Sequence, residues 1–271
     1  MSTFILWMAG SLAVLLLIGW LGLQIRPAPF APFPLQSEGI NWVATPENLP
    51  GPVSGFYTRL YGNEMPVVES AVISGRAKLR VMGITFPSRY RFSHVAGQAY
   101  RHYIEATWFG LPVMKINESF LEEESRLELP FGISEGSPKQ NQAANLGLWA
   151  ESFWFPSLFL TDQRVSWRGV DSNTARLTVP FEEGEDTFIV RFDPETQMML
   201  LAESMRYKDR ESERKTLWIN QVIEWEEVDG QQSMAKVALI WLDDGTPWAT
   251  LIAEEIVLNA DLSEYIRQRG P

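Results

Sequence analysis

In the segment ESAVISGRAKLRV, Ala71, Ile73, Ala77, Leu79 and Val81 are apolar at alternate positions, with Ser70, Ser74, Arg76, Lys78 and Arg80 polar between them. Side chains of a strand point alternately to its two faces, so this pattern predicts a strand with one apolar and one wet face. Runs of the same kind recur along the chain: TFPSRYRFSHV, AYRHYIEATWF, VMKINESFL, RVSWRGV, TARLTVPF, TFIVRFD, KTLWINQVIEWEEV, SMAKVALIWL and WATLIAEEIVLN are among them. Turn signals such as AGQ, DSN, EEGED, DPET, VDGQ and DDGTP separate many of these runs. About a dozen strands joined this closely predict an antiparallel meander, because parallel pairs need long crossovers. No fixed repeat period is visible, which excludes a propeller or solenoid.

Two stretches break the alternation. In GPVSGFYTRLYG, Val53, Phe56, Tyr57 and Leu60 follow the i, i+3, i+4, i+7 spacing of a short helix. The second is NLGLWAESFWFPSLFL, residues 145–160, in which Glu151 is the single charge. Ser137 is a plausible N-cap with Pro138 at the first helical position, and Pro156 ends the run. Ala143, Leu146, Trp149, Ala150 and Phe153 would line one side of the helix, and Leu148, Trp154 and Phe155 much of the other. A helix apolar nearly all round is buried or in lipid, and this one is too short to span a bilayer. The expected place for it is the hollow of a curved sheet, which has a concave apolar face to cover. Glu151 then needs a cationic or hydrogen-bonding partner, or a proton.

At the N-terminus, residues 4–25 (FILWMAGSLAVLLLIGWLGLQI) carry no charge. As a helix they would extend roughly 33 Å, enough for the hydrocarbon core of a bilayer. Trp7 and Trp20 stand near the two ends, where indole rings favour the headgroup layer. A cleaved signal peptide is the rival reading. Against it, MST has no basic residue, the apolar run is long, and no small-x-small cleavage site follows in place. Arg26, taken alone, leans toward a cytoplasmic domain. PAPFAPFP then reads as an extended proline strut that holds the domain off the bilayer. The expected division is therefore residues 1–26 as a transmembrane anchor, 27–45 as a Pro-rich linker and 46–271 as a β half-barrel domain.

Charge and composition narrow the function. The chain of 271 residues has 34 acidic against 23 basic residues, which argues against nucleic acid as a partner. Cysteine is absent, removing thiolate metal sites and cysteine nucleophiles together. With 45% hydrophobic residues the chain can bury a full core, so wholesale disorder is excluded.

Four stretches, in order, are similar to an uncharacterised bacterial family of membrane-anchored proteins: NLPGPVSGFYTRLYG, GSPKQNQAANLGLWAESFWFPSLFL, RVSWRGVDSNTARLTV and AKVALIWLDDGTPWATLIAEEIVLNADL. Its landmarks are a Leu-Pro-x-Pro-Val start, here Leu49, Pro50, Pro52 and Val53, and a Glu-x-x-Trp-x-Pro helix, here Glu151, Trp154 and Pro156. The likeness covers about residues 48–262. The strand order with a helix in a half-barrel also resembles the lipoprotein-carrier (LolA/LolB-type) fold. Together they imply a mainly β, curved antiparallel half-barrel with a short aromatic helix in its concavity, standing on the extracytoplasmic side. They bring no catalytic residues, because the family carries no agreed activity.

Three constellations bear on chemistry. GISEG (residues 132–136) matches the G-x-S-x-G nucleophile elbow, but both histidines precede Ser134 and the following helix begins late. A Gly/Ser turn leading to a helix cap accounts for it. His94 and His102 share the apolar faces of their strands, and a three-residue loop at residues 97–99 would set them directly opposite each other. They could form part of a metal site, yet no third ligand is identifiable, and a plain cross-strand aromatic pair explains them without one. LEEES and FEEGED read as solvated loop charge, and no phosphate-binding glycine loop or calcium-binding loop is present. No cofactor is implied.

Two functions remain. One is a non-catalytic binding domain that holds a lipid, acyl chain or other hydrophobic ligand in the hollow, with Trp108, Trp149, Glu151, Phe153 and Trp154 as the expected contacts. The other is a scaffold whose hollow is simply its core and whose protein partners sit on the outer face. An enzyme ranks third. Aromatic rings fill cores and line apolar pockets alike, so sequence does not separate the first two.

Overall fold

A computed structural model of the chain describes residues 2–34, 39–182, 184–228 and 231–271. Part of the linker (residues 35–38), Glu183 of the FEEGED turn and most of the VDGQ turn therefore lie outside the described residues.

The chain opens with α1 (Ser2–Gly22), then β1 (Trp42–Ala44), α2 (Gly51–Tyr61) and β2 (Glu64–Pro66). Six strands follow: β3 (Ser70–Val81), β4 (Ile84–Val95), β5 (Ala99–Trp108), β6 (Leu111–Leu121), β7 (Glu124–Leu129) and β8 (Gly132–Glu135). Then come α3 (Pro138–Glu151), a 3-10 turn (Ser152–Trp154) and α4 (Leu158–Thr161). Seven more strands complete the fold: β9 (Ser166–Gly169), β10 (Thr174–Phe181), β11 (Gly184–Phe192), β12 (Met199–Arg206), β13 (Thr216–Val228), β14 (Gln231–Trp241) and β15 (Pro247–Leu258).

Thirteen strands form one curved, unclosed antiparallel sheet in the order β8-β7-β6-β5-β4-β3-β15-β14-β13-β12-β11-β10-β9. Each half is a hairpin meander, and the first strand of one half pairs with the last strand of the other. The antiparallel meander expected from the alternation and the open, curved sheet implied by the resemblance are thus present, and β1 and β2 make a separate two-stranded ribbon. Register shifts fall in the pairings β5–β6, β11–β12, β13–β14, β14–β15 and β15–β3. Such bulges bend a strand and increase its twist, which is how a sheet this wide curls. Near the β15 bulge the backbones come very close: a Cβ on Gly75 would fall 2.0 Å from the carbonyl oxygen of Ile252.

The sheet's two edge strands, β8 and β9, are consecutive strands joined through α3 and α4. That connection must cross the whole sheet, and it does so over the concave face. Ser137 Oγ accepts from the Gln140 backbone N–H at 3.3 Å, Pro138 occupies the first turn, and the helix stops before Pro156. Leu146, Trp149, Phe153, Trp154 and Phe155 are all buried in one large cluster with side chains of both sheet halves. From α2, Val53, Phe56, Tyr57 and Leu60 join the same cluster, and Tyr57 Oη donates to the Pro156 carbonyl at 2.7 Å.

Three expectations are corrected. GISE is the edge strand β8 rather than a turn, its Arg126↔Glu135 to Leu129↔Gly132 register completing the sheet. The proline segment is no free strut. Phe33 is buried against Val72, Val257 and Ile266, Phe30 lies 4.4 Å from the Arg89 guanidinium, and Arg91 donates to the Ala31 carbonyl. As a result the outer face of β3 is partly covered, and Ser70 and Ser74 are buried rather than wet. Finally, the β4–β5 loop spans residues 96–98, one residue earlier than expected, with Gly97 in the left-handed region at φ 64°. His94 therefore pairs with Tyr100, and Phe92 with His102. The two histidines stay on the same face but sit diagonally, with ring centroids 5.9 Å apart.

Candidate functional site

The last residue of α3 carries the one charge of its aromatic stretch onto these histidines. Glu151 Oε2 lies 2.6 Å from His102 Nε2 and 2.9 Å from His94 Nε2. The first contact is a well-formed hydrogen bond. The second has the right length but not the alignment, so neither ring nitrogen of the fully buried His94 makes a hydrogen bond. On its other side, His102 Nδ1 stands 3.5 Å from Glu118 Oε2, while Tyr100 Oη donates to Glu118 Oε1 at 2.7 Å. Tyr100 stacks on the His102 ring at 4.0 Å and Phe92 covers its opposite face at the same separation.

Charge follows from this packing. Burial opposes ionisation of Glu151, but the His102 charge and hydrogen bond, with His94 Nε2 close by, override it and hold the carboxyl down at about 2. Burial likewise disfavours imidazolium at His102, yet the Glu151 and Glu118 carboxylates carry it up to about 9. Burial lowers His94 below its ordinary value and keeps it neutral, despite the same carboxylate. At neutral pH the cluster is a carboxylate between a protonated and a neutral imidazole. Donor atoms of His94, His102 and Glu151 all lie within 4.8 Å of one another, so the third ligand that the sequence did not reveal is Glu151.

Glu151 also forms part of a recess between α3, the following 3-10 turn and β12–β15. Phe153, Trp154, Trp218, Met234, Val237 and Leu251 make its apolar wall. The recess is narrow, with a cavity volume of about 30 Å³. Trp154 is pinned beside it, Nε1 donating to the Met234 carbonyl at 3.0 Å.

Of the five residues expected in the hollow, Glu151, Phe153 and Trp154 meet at this recess. Trp149 is buried elsewhere, against the Gly97 loop and 5.9 Å from the Arg164 guanidinium. Trp108 is not in the hollow. It stands exposed at the end of β5, opposite a register shift that leaves Val113 of β6 unpaired, and its Nε1 donates to the Gly19 carbonyl of α1 at 3.0 Å. Glu118 and Trp218 were missed, although both had a signal. Glu118 alternates with Ile116 and Phe120, and Trp218 with Asn220 and Val222, on otherwise inward faces.

Solved structures of related shape include a LolA-superfamily protein from Nitrosomonas europaea, with 10% identity over 74% of this chain and 90% of that one and a TM-score of 0.46. Another is a DUF1329 family protein from Desulfovibrio piger, with 13% identity over 73% of this chain and 89% of that one and a TM-score of 0.40. No curated protein matches the chain. Residues 40–251, which hold α2, the aromatic helix, both histidines and most of the sheet, match one family profile: the chain belongs to the family of unknown function DUF6544.

Proposed function

We propose that the protein is a membrane-tethered, non-catalytic binding module that takes an apolar ligand, an acyl chain or similar hydrophobic group, in the recess between α3 and β12–β15. The observation that carries this reading is the recess itself: an opening walled by Trp, Phe, Met, Val and Leu side chains with Glu151 as its one charged member. Its present volume admits only a small group, so an acyl chain requires Trp154 to swing away from the Met234 carbonyl.

A lipid source nearby fits the same reading. Phe4–Gly22 is one helix long and apolar enough to cross a membrane, and it is exposed except near its end, where Gly19 and Gly22 meet Trp108. Beside its last turn the β5–β6 hairpin presents Trp108, Phe109 and Leu111, and the neighbouring β3–β4 turn presents Met82, all exposed. Such side chains favour the membrane interface. We place the folded domain on the extracytoplasmic side.

The test is photo-crosslinking in native membranes with a diazirine-bearing fatty acid, followed by peptide mapping. Adducts at residues 153–154, 218 and 234–239 support the reading. Adducts confined to α1 would refute it. A second reading, a scaffold with a filled hollow and protein partners outside, is favoured by the small deep volume of the recess, and is what that negative result would leave.

A further inference from the structure

The His94–Glu151–His102 cluster is more than a buried ion pair needs. An ion pair would use one imidazole, whereas here two Nε2 atoms converge on one carboxylate oxygen from neighbouring strands. His94 is fully buried and gains no hydrogen bond on either nitrogen, an arrangement that costs free energy unless something else engages the ring. With neither nitrogen hydrogen-bonded, the ring can offer a lone pair to a cation. His102 shows the outer carboxylate that metal-bound histidines commonly have, with Glu118 at its far nitrogen and Tyr100 fixing Glu118 in turn. Phe92 and Tyr100 clamp the ring plane, so its direction is set before any ion arrives.

We propose that His94, His102 and Glu151 bind one divalent transition-metal ion of the zinc class through two imidazole Nε2 atoms and a carboxylate oxygen. Two histidines and a glutamate are a donor set suited to zinc, with nitrogen and oxygen ligands at about 2.0–2.2 Å. The Nε2–Oε2 separations of 2.6 and 2.9 Å are shorter than neighbouring ligands on a tetrahedral ion, which stand roughly 3.3 Å apart at those bond lengths. Binding therefore needs an outward shift of the Glu151 carboxylate, toward the recess, with the two imidazole nitrogens, within 4.8 Å of each other, adjusting to the same ion. Glu151 is also the ligand with exposed surface, 16% of its side chain, so the ion enters from that side. Arg206, buried near Glu118 and Glu151, offsets one of the two carboxylates, leaving the cluster one net negative charge with both imidazoles neutral. The inference does not depend on the recess taking an apolar ligand.

Full-length protein, purified in detergent and stripped with chelator, is dialysed against limiting Zn2+, and bound metal is counted by plasma mass spectrometry. About one ion per chain is expected. Zinc X-ray absorption on that sample should show two imidazoles in the coordination shell. His94→Asn, His102→Asn and Glu151→Gln should each weaken binding at least tenfold, while Lys78→Ala on the outer face should not. The wild-type arms decide the matter even where a variant fails to fold. No stoichiometric zinc, or a bound zinc whose shell contains no imidazole, would overturn the site and leave a metal-free ion pair.

Discussion

Glu151→Gln keeps the shape of the side chain and removes its charge, so it isolates what the buried carboxylate contributes. A carboxyl held at about 2 rather than at its ordinary 4.5 is worth about 3 kcal/mol of stability at neutral pH. The rise of His102 from 6.5 to about 9 is the same coupling seen from the other partner and does not add to it. Glu118 remains 3.5 Å from His102 in the variant, and the amide can still hydrogen-bond, so the expected loss is about 2–3 kcal/mol. The pH dependence has a definite sign. His102 is raised, so its contribution is complete below 6.5 and disappears as pH climbs through 9. Glu151 is depressed, so its contribution is complete above 4.5 and disappears as pH falls toward 2. Urea denaturation in chelator, on a chain beginning at Pro27, should show wild-type stability falling between pH 6.5 and 9 and a flatter profile for Glu151→Gln. Equal stabilities at pH 6, or parallel profiles, would refute the buried pairing.

Two further perturbations test the architecture. Gly75→Ala places a methyl group against the Ile252 carbonyl where β3 meets β15, and should cost about 3 kcal/mol in the same denaturation assay; an unchanged midpoint would mean that the two sheet halves are not joined there. Phe33→Ala removes the ring that seats the proline segment beside Val72 and Tyr265, so amide hydrogen exchange should accelerate across residues 30–34 with little change in global stability; unchanged exchange would show that the ring does not hold the segment.

Alternation made most of the sheet legible, because a strand with one buried face writes that face into every second residue, as Ala71 to Val81 does. The helix across the hollow was legible for a related reason: Leu146, Trp149, Phe153 and Trp154 leave it no wet side. What failed was register. Alternation does not encode where a strand leaves the hollow, so the place of Trp108 at the end of β5, against α1, was not legible. A one-residue error in placing the β4–β5 loop likewise moved His94 from diagonal to opposite its partner. The ligand role of Glu151 was hidden for a different reason. Glu151 is 49 residues from His102 and further from His94, and only the tertiary crossing brings them together. Coverage of the outer face of β3 by Phe33 was equally non-local.

The central claim, an apolar ligand in the recess, is tested most directly by native mass spectrometry of the chain beginning at Pro27, expressed with access to membranes and released without detergent. The wild type should carry an added mass equal to a fatty acid or phospholipid. Val237→Phe, which fills the recess from β14, should lose that mass while keeping the wild-type circular dichroism spectrum. A wild-type chain with no bound lipid, or a filled variant that carries the same lipid, would contradict the account.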